Sequence, residues 1–177
     1  MNQSDPNLSA VPQSRPEPWL RGTHPELPAL ARAVLHALEL TAEDAHRWTD
    51  SFTDAEYNLA PKGLPSLGWQ MRHIARSIDR LLTYAEGLPL SPVQLAELRR
   101  EGQTGTAADL HAELRSALLD ATSRILTLAT FDPQTPRTVG RKALPTTVGG
   151  LLVHVADHTQ RHTGQLVTTA KFLRAQR

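Results

Sequence analysis

The apolar positions of the chain recur at helical spacing in four long stretches, separated by clusters of proline and glycine. Leu27, Leu30, Ala31, Val34, Leu35 and Leu38 stand three and four residues apart, and Ala42, Ala45 and Trp48 keep that period without a glycine or proline between them. This predicts one amphipathic helix from Glu26 through Trp48. Thr53 with Glu56 three residues later has the form of a capping box for a short helical turn, which Pro61, Gly63 and Pro65 end. Ser66 is a good N-cap for a second long helix, running to about Glu86 before the stop signals Gly87 and Pro89.

Ser91-Pro92 opens a short helix through Arg100, and Gly102 and Gly105 close it. Thr106 with Asp109 then opens a third long segment, striped by Leu110, Leu114, Ala117, Leu118, Ala121, Ile125 and Leu128. Residues 129–145, with Pro133, Pro136, Gly140 and Pro145, read as a long connection, of a length that in small domains usually signals function or mobility. The last helix begins at Thr146 or Thr147 and runs to about Ala175. With no strand-period run and no internal repeat, the pattern predicts an all-α four-helix bundle with longer crossover connections.

Residues 1–25 hold Pro6, Pro12, Pro16, Pro18 and Pro25 among polar residues, too little apolar surface to offset the entropy of ordering. They are expected to form a disordered tail before a single domain at 26–177, with Trp19 and Leu20 as candidates for a small anchor. Composition narrows the function. The 177 residues carry a net charge of +1, so the basic field that captures nucleic acid is missing. Cysteine is absent, which excludes disulfides, thiolate metal sites and an internal thiol nucleophile. No apolar run reaches the roughly 18 residues of a membrane span, and the opening MNQSDPNLSAVPQSRPEP lacks the regions of a secretory signal. A cytoplasmic protein acting on a small molecule, without nucleic-acid or membrane partners, is the expectation.

Three of the eight histidines, His154, His158 and His162, are spaced four apart in LLVHVADHTQRHTGQL, on one side of the last helix. With Val148 at the origin of a helical wheel, His158 at about 280° and His162 at about 320° fall in the sector of Leu151, Leu152, Val155, Leu166 and Leu173. His154, at about 240°, lies at its margin, while Asp157, Gln160 and Arg161 point away. Buried imidazoles need a hydrogen-bond or metal partner, and an i, i+4 pair converges as in helical zinc sites. An ordinary pair of satisfied core histidines has the same spacing. The candidate third ligand is His73 on the second helix, which shares a face with Trp69, Ser77, Arg80 and Tyr84 away from the apolar stripe. That face is either solvated or the wall of a cleft, and periodicity does not choose.

The pairing of WQMRHIARSIDRLLTY with LLVHVADHTQRHTGQLV resembles the DinB/YfiT-like superfamily of bacterial four-helix-bundle metalloproteins. In that family one histidine on the second helix joins a His-x-x-x-His followed by x-Gly-Gln on the last. His73 fills the first position, His158 and His162 the pair, and Thr163-Gly164-Gln165 the x-Gly-Gln. The resemblance spans residues 26–175, strongly at 66–88 and 147–173. Many relatives have a second histidine beside the last ligand, where this chain has Arg161 and Thr163. The resemblance implies one divalent metal on His73, His158 and His162, and a homodimer.

Three neutral imidazoles leave a dication's charge uncompensated, which lowers the pKa of a water or thiol it binds. Zinc, nickel or iron is the expected ion, since imidazole does not select among them. Gln165 is a candidate for orienting a ligand or water, and Trp69 for walling the pocket. Arg76 and Arg80 are candidates for holding an anionic part of a substrate. Some relatives are S-transferases using bacillithiol, mycothiol or glutathione, and the missing cysteine suits an imported thiol cosubstrate. The resemblance therefore implies thiol transfer to an electrophile, with metal-dependent hydrolysis or a non-catalytic metal-binding stress protein as alternatives.

Overall fold

The computed structural model describes residues 15–177. Its helices are α1 (Ala29–Thr49), α2 (Asp54–Asn58), α3 (Leu67–Ala85), α4 (Pro92–Leu98), α5 (Ala107–Leu128) and α6 (Val148–Arg174). The four long ones form the bundle. α6 packs against α1 and α3, α3 also packs against α5, and a looser α1–α5 seam closes the ring in the order α1–α6–α3–α5. Val34 and Leu38 of α1, Ile74 and Ile78 of α3, Leu110 and Ile125 of α5, and Val155 and Leu166 of α6 are all buried in the shared core.

The sequence signals at the helix ends act as expected. Ser66 Oγ accepts from the Trp69 amide, Thr106 Oγ1 from Asp109 and Thr147 Oγ1 from Gly150, each satisfying an amide that the helix leaves without a partner. Thr53 and Glu56 form the capping box of α2, and Ser91 and Gln94 form another on α4. Gly87, at φ +82°, follows the end of α3, where a left-handed residue without a Cβ suits the exit. α1 starts three residues later than the apolar stripe suggests, after Pro28.

The connection at 129–145 is not irregular throughout. Pro136–Val139 (β1) and Leu144–Thr147 (β2) pair antiparallel, with Pro136 opposite Thr147 and Val139 opposite Leu144. Strands of four residues are too short to show a period, and prolines are tolerated because both strands are edges. The hairpin leads directly into α6.

The expected tail also differs where it is described. Residues 1–14 lie outside the described residues, but Pro18–Leu20 form a 3-10 turn packed on α1. Trp19 and Leu20 are largely exposed and do not anchor it. Pro18 is buried instead, and the Arg21 guanidinium grips the Glu43 carboxylate through two hydrogen bonds. Gln160 likewise does not point away: its amide donates to the Ala37 carbonyl at 2.7 Å and to Thr41 Oγ1 at 2.9 Å. A helix with neighbours on two sides buries a wider arc than a one-sided apolar wheel suggests.

Candidate metal centre

α3 and α6 lie side by side, and their facing turns bring His73, His158 and His162 together. Each offers one ring nitrogen to a group whose members all lie within 4.8 Å of one another. The Nε2 atoms of His73 and His158 are 3.0 Å apart, and the ring centres of His73 and His162 are 4.2 Å apart. None of the three is fully buried, which corrects the deep placement read from the wheel. They sit at the margin of the α3–α6 seam, where a ligand has access. His154 stands one turn away, about half exposed and beside Asp157, outside the cluster.

Protein groups fix the direction in which the imidazoles present their lone pairs. His73 Nδ1 donates to Glu101 Oε2 at 2.8 Å, so its Nε2 carries the lone pair. Glu101 is buried, in the turn after α4, and its second oxygen accepts from Arg80 Nη1 at 2.7 Å. Burial alone would raise its carboxyl pKa, but the bonds from His73 and Arg80 outweigh that and hold it below the usual range. His162 Nδ1 donates to Gln70 Oε1 at 2.9 Å, and the Gln70 amide nitrogen donates to Gln165 Oε1 at 2.9 Å. Gln165 thus reaches the cluster through Gln70.

Trp69 stacks on His73, with ring centres 4.6 Å apart and planes within 8°, and covers one side of the cluster. The two arginines proposed for a substrate anion are bound within the protein. Arg76 donates to Glu113 Oε1 and to the Glu97 carbonyl, and Arg80 to Glu101. Neither pairs with Asp79 or Glu86, which Arg124 holds. Two participants escaped the sequence reading. Glu101 lies 28 residues from His73 in a turn without periodicity; its signal is weak, a lone carboxylate between Glu97 and Asp109. Gln70 carries a stronger one, an amide beside Met71 and Leu67 in an apolar stretch, and it is fully buried.

Burial, then repulsion from neighbouring imidazoles and Arg161, lowers the pKa of His158 to about 4; burial, then His73 and Arg161, does the same for His162. Both rings are neutral near pH 7, the form that ligates. The donor set fits a divalent cation. Two nitrogens on one tetrahedral zinc ion at bonds of about 2.0 to 2.1 Å stand about 3.3 Å apart, close to the His73–His158 separation. A cleft of about 380 Å³ lined by Leu64, Pro65, Arg161, Gly164 and Gln165 opens along α6, and none of the three histidines lines it. Among the described residues no helix is long and apolar enough to cross a membrane.

A family model described as the DinB superfamily matches residues 37–166, a span that includes all three histidines and both glutamines. No curated protein and no solved structure matches the chain.

Proposed function

Because the chain belongs to the DinB superfamily, we propose that His73, His158 and His162 hold one divalent metal and that the protein transfers a low-molecular-weight thiol to an electrophilic small molecule. The observation that carries this reading is the convergence of three imidazoles, two of them aimed through their Nδ1 atoms by Glu101 and Gln70. A divalent cation there supplies the Lewis acidity that makes a thiol or water acidic near pH 7. The chain has no cysteine, so a sulfur nucleophile has to arrive with a cosubstrate.

The protein's own residues define the rest. Trp69 shields one face of His73 from solvent, and Glu101 keeps that ring from rotating. Arg80 holds Glu101 ionised, and so acts on the centre by position and not by touching substrate. Gln165 lines the cleft along α6 and accepts from the Gln70 amide, which suits it to orient an incoming polar group.

The test is conjugation of a monochloro or epoxide electrophile with bacillithiol, mycothiol or glutathione, by metal-loaded protein and by a His158→Ala, His162→Ala variant. Thiol-dependent turnover lost in the variant supports transfer. Turnover of an ester or amide without thiol, lost in the same variant, replaces it with hydrolysis.

A further inference from the structure

The α1–α5 seam, opposite the histidine-bearing α3–α6 seam in the ring of helices, contains a cavity of about 350 Å³. Its floor is apolar: Leu35 and Leu38 from α1 and Leu114 and Leu118 from α5 line it, and each is buried against the rest of the core. The volume is within the range of small-ligand sites, which join apolar walls to a few polar groups.

The charge around this cavity is uneven. On the α1 side, Glu39 is a carboxylate of the lining, and its Oε1 lies 2.7 Å from His24 Nε2, a hydrogen-bond partner. Elsewhere in the lining, His46, His111 and Arg115 gather, with Asp50 as the carboxylate near them. Asp50 is engaged by His46 at 3.5 Å. Among the described residues no carboxylate lies within ion-pair distance of Arg115, whose exposed guanidinium stands at the solvent edge of the apolar slot without an acidic partner.

We propose that this seam binds an apolar carboxylate of the medium-chain fatty acid type, its hydrocarbon along Leu35, Leu38, Leu114 and Leu118 and its carboxylate on Arg115. An apolar floor without a cation would favour neutral hydrocarbons equally; the unpaired guanidinium selects the anion, because its fork accepts both carboxylate oxygens. The site is separate from the metal centre and does not depend on the reaction assigned there.

The test is titration of the full chain with decanoate and with decanol, by displacement of the fluorescent anion anilinonaphthalene sulfonate and by calorimetry, with and without a chelator. Saturable decanoate binding unchanged by the chelator is expected. Arg115→Met should weaken decanoate about tenfold and leave decanol unchanged. Ala42→Trp, at an exposed position of the lining, should abolish binding of both. Should that variant not give a native melting curve, Leu119→Glu, exposed on the other wall, should weaken decanoate by setting a like charge against it. No binding below millimolar decanoate, or equal affinity in parent and Arg115→Met, would overturn the proposal. So would a parent dimer that Ala42→Trp or Leu119→Glu converts to monomer, since a second copy would then cover the seam.

Discussion

Glu101 accepts the Nδ1 proton of His73 at 2.8 Å, so a carboxylate on the α4–α5 connection decides which nitrogen of a ring on α3 is left to ligate. Carboxylate partners of ligating histidines typically contribute about 10- to 100-fold in metal affinity. Glu101→Ala should weaken zinc binding by that factor in a chelator competition. Nitrogen NMR of the metal-free protein should show His73 losing its preference for the Nδ1–H tautomer. Unchanged affinity with an unchanged tautomer would remove Glu101 from the centre.

Gln70 acts on the second ring. Gln70→Leu keeps the volume of a fully buried side chain but removes the acceptor for His162 and the donor to Gln165. Zinc affinity should fall about tenfold, at the lower end for an outer-shell partner. Gln165→Leu should lower that affinity less than Gln70→Leu, because the Gln165 side chain lies beside His162 but spends its oxygen on the Gln70 amide. Equal losses in both variants would mean that the amide pair acts as one unit.

The four long helices and the His158–His162 pair were legible in the sequence because both rest on spacing within a helix, whereas His73 joined them only through the family resemblance. Period and caps alone place α3 and α6, and four-residue steps put His158 and His162 together. What was not legible depends on contacts between distant segments. The turn that brings Glu101 under His73 is set by tertiary anchors, Arg76 on the Glu97 carbonyl and Arg72 on the Gln103 carbonyl, and neither leaves a local pattern. For the same reason Arg76 and Arg80 looked available for substrate: their partners Glu113 and Glu101 are 37 and 21 residues away. The hairpin before α6 escaped because four residues are too few for alternation to register.

Arg124 on α5 joins three carboxylates, with Asp79 at 2.7 Å, Glu86 at 2.6 Å and Asp120 at 3.3 Å. Its guanidinium pKa is raised, because the hydrogen bonds to Glu86 and Asp79 outweigh the burial that opposes its charge. Arg124→Met leaves Asp79 and Glu86 partly buried without their cation. That should cost about 2 kcal/mol, less than a fully buried pair, and lower the melting temperature by about 4 to 8 °C. Metal stoichiometry should not change, since none of these groups touches the histidines.

His111 Nε2 lies 2.6 Å from the Tyr57 hydroxyl, which donates to the Thr49 carbonyl at 2.9 Å. Burial lowers the His111 pKa below its ordinary value. The unfolded chain therefore binds the proton more readily, and the stability from keeping this ring neutral is complete above about pH 6.5 and lost as pH falls below it. His111→Gln should lie within about 1 kcal/mol of the parent at pH 8, the size of one neutral hydrogen bond. The parent should then lose stability relative to the variant between pH 6.5 and 5. A difference that stays constant over that range would show that His111 does not titrate with folding.

Elemental analysis of purified protein loaded with zinc, nickel or iron, compared with the His158→Ala, His162→Ala variant, tests whether the three histidines form a metal centre. One divalent ion per chain in the parent, absent from a variant that keeps its helical circular dichroism, is the expected result. Full occupancy retained in that variant, or no ion retained by the parent, would contradict it.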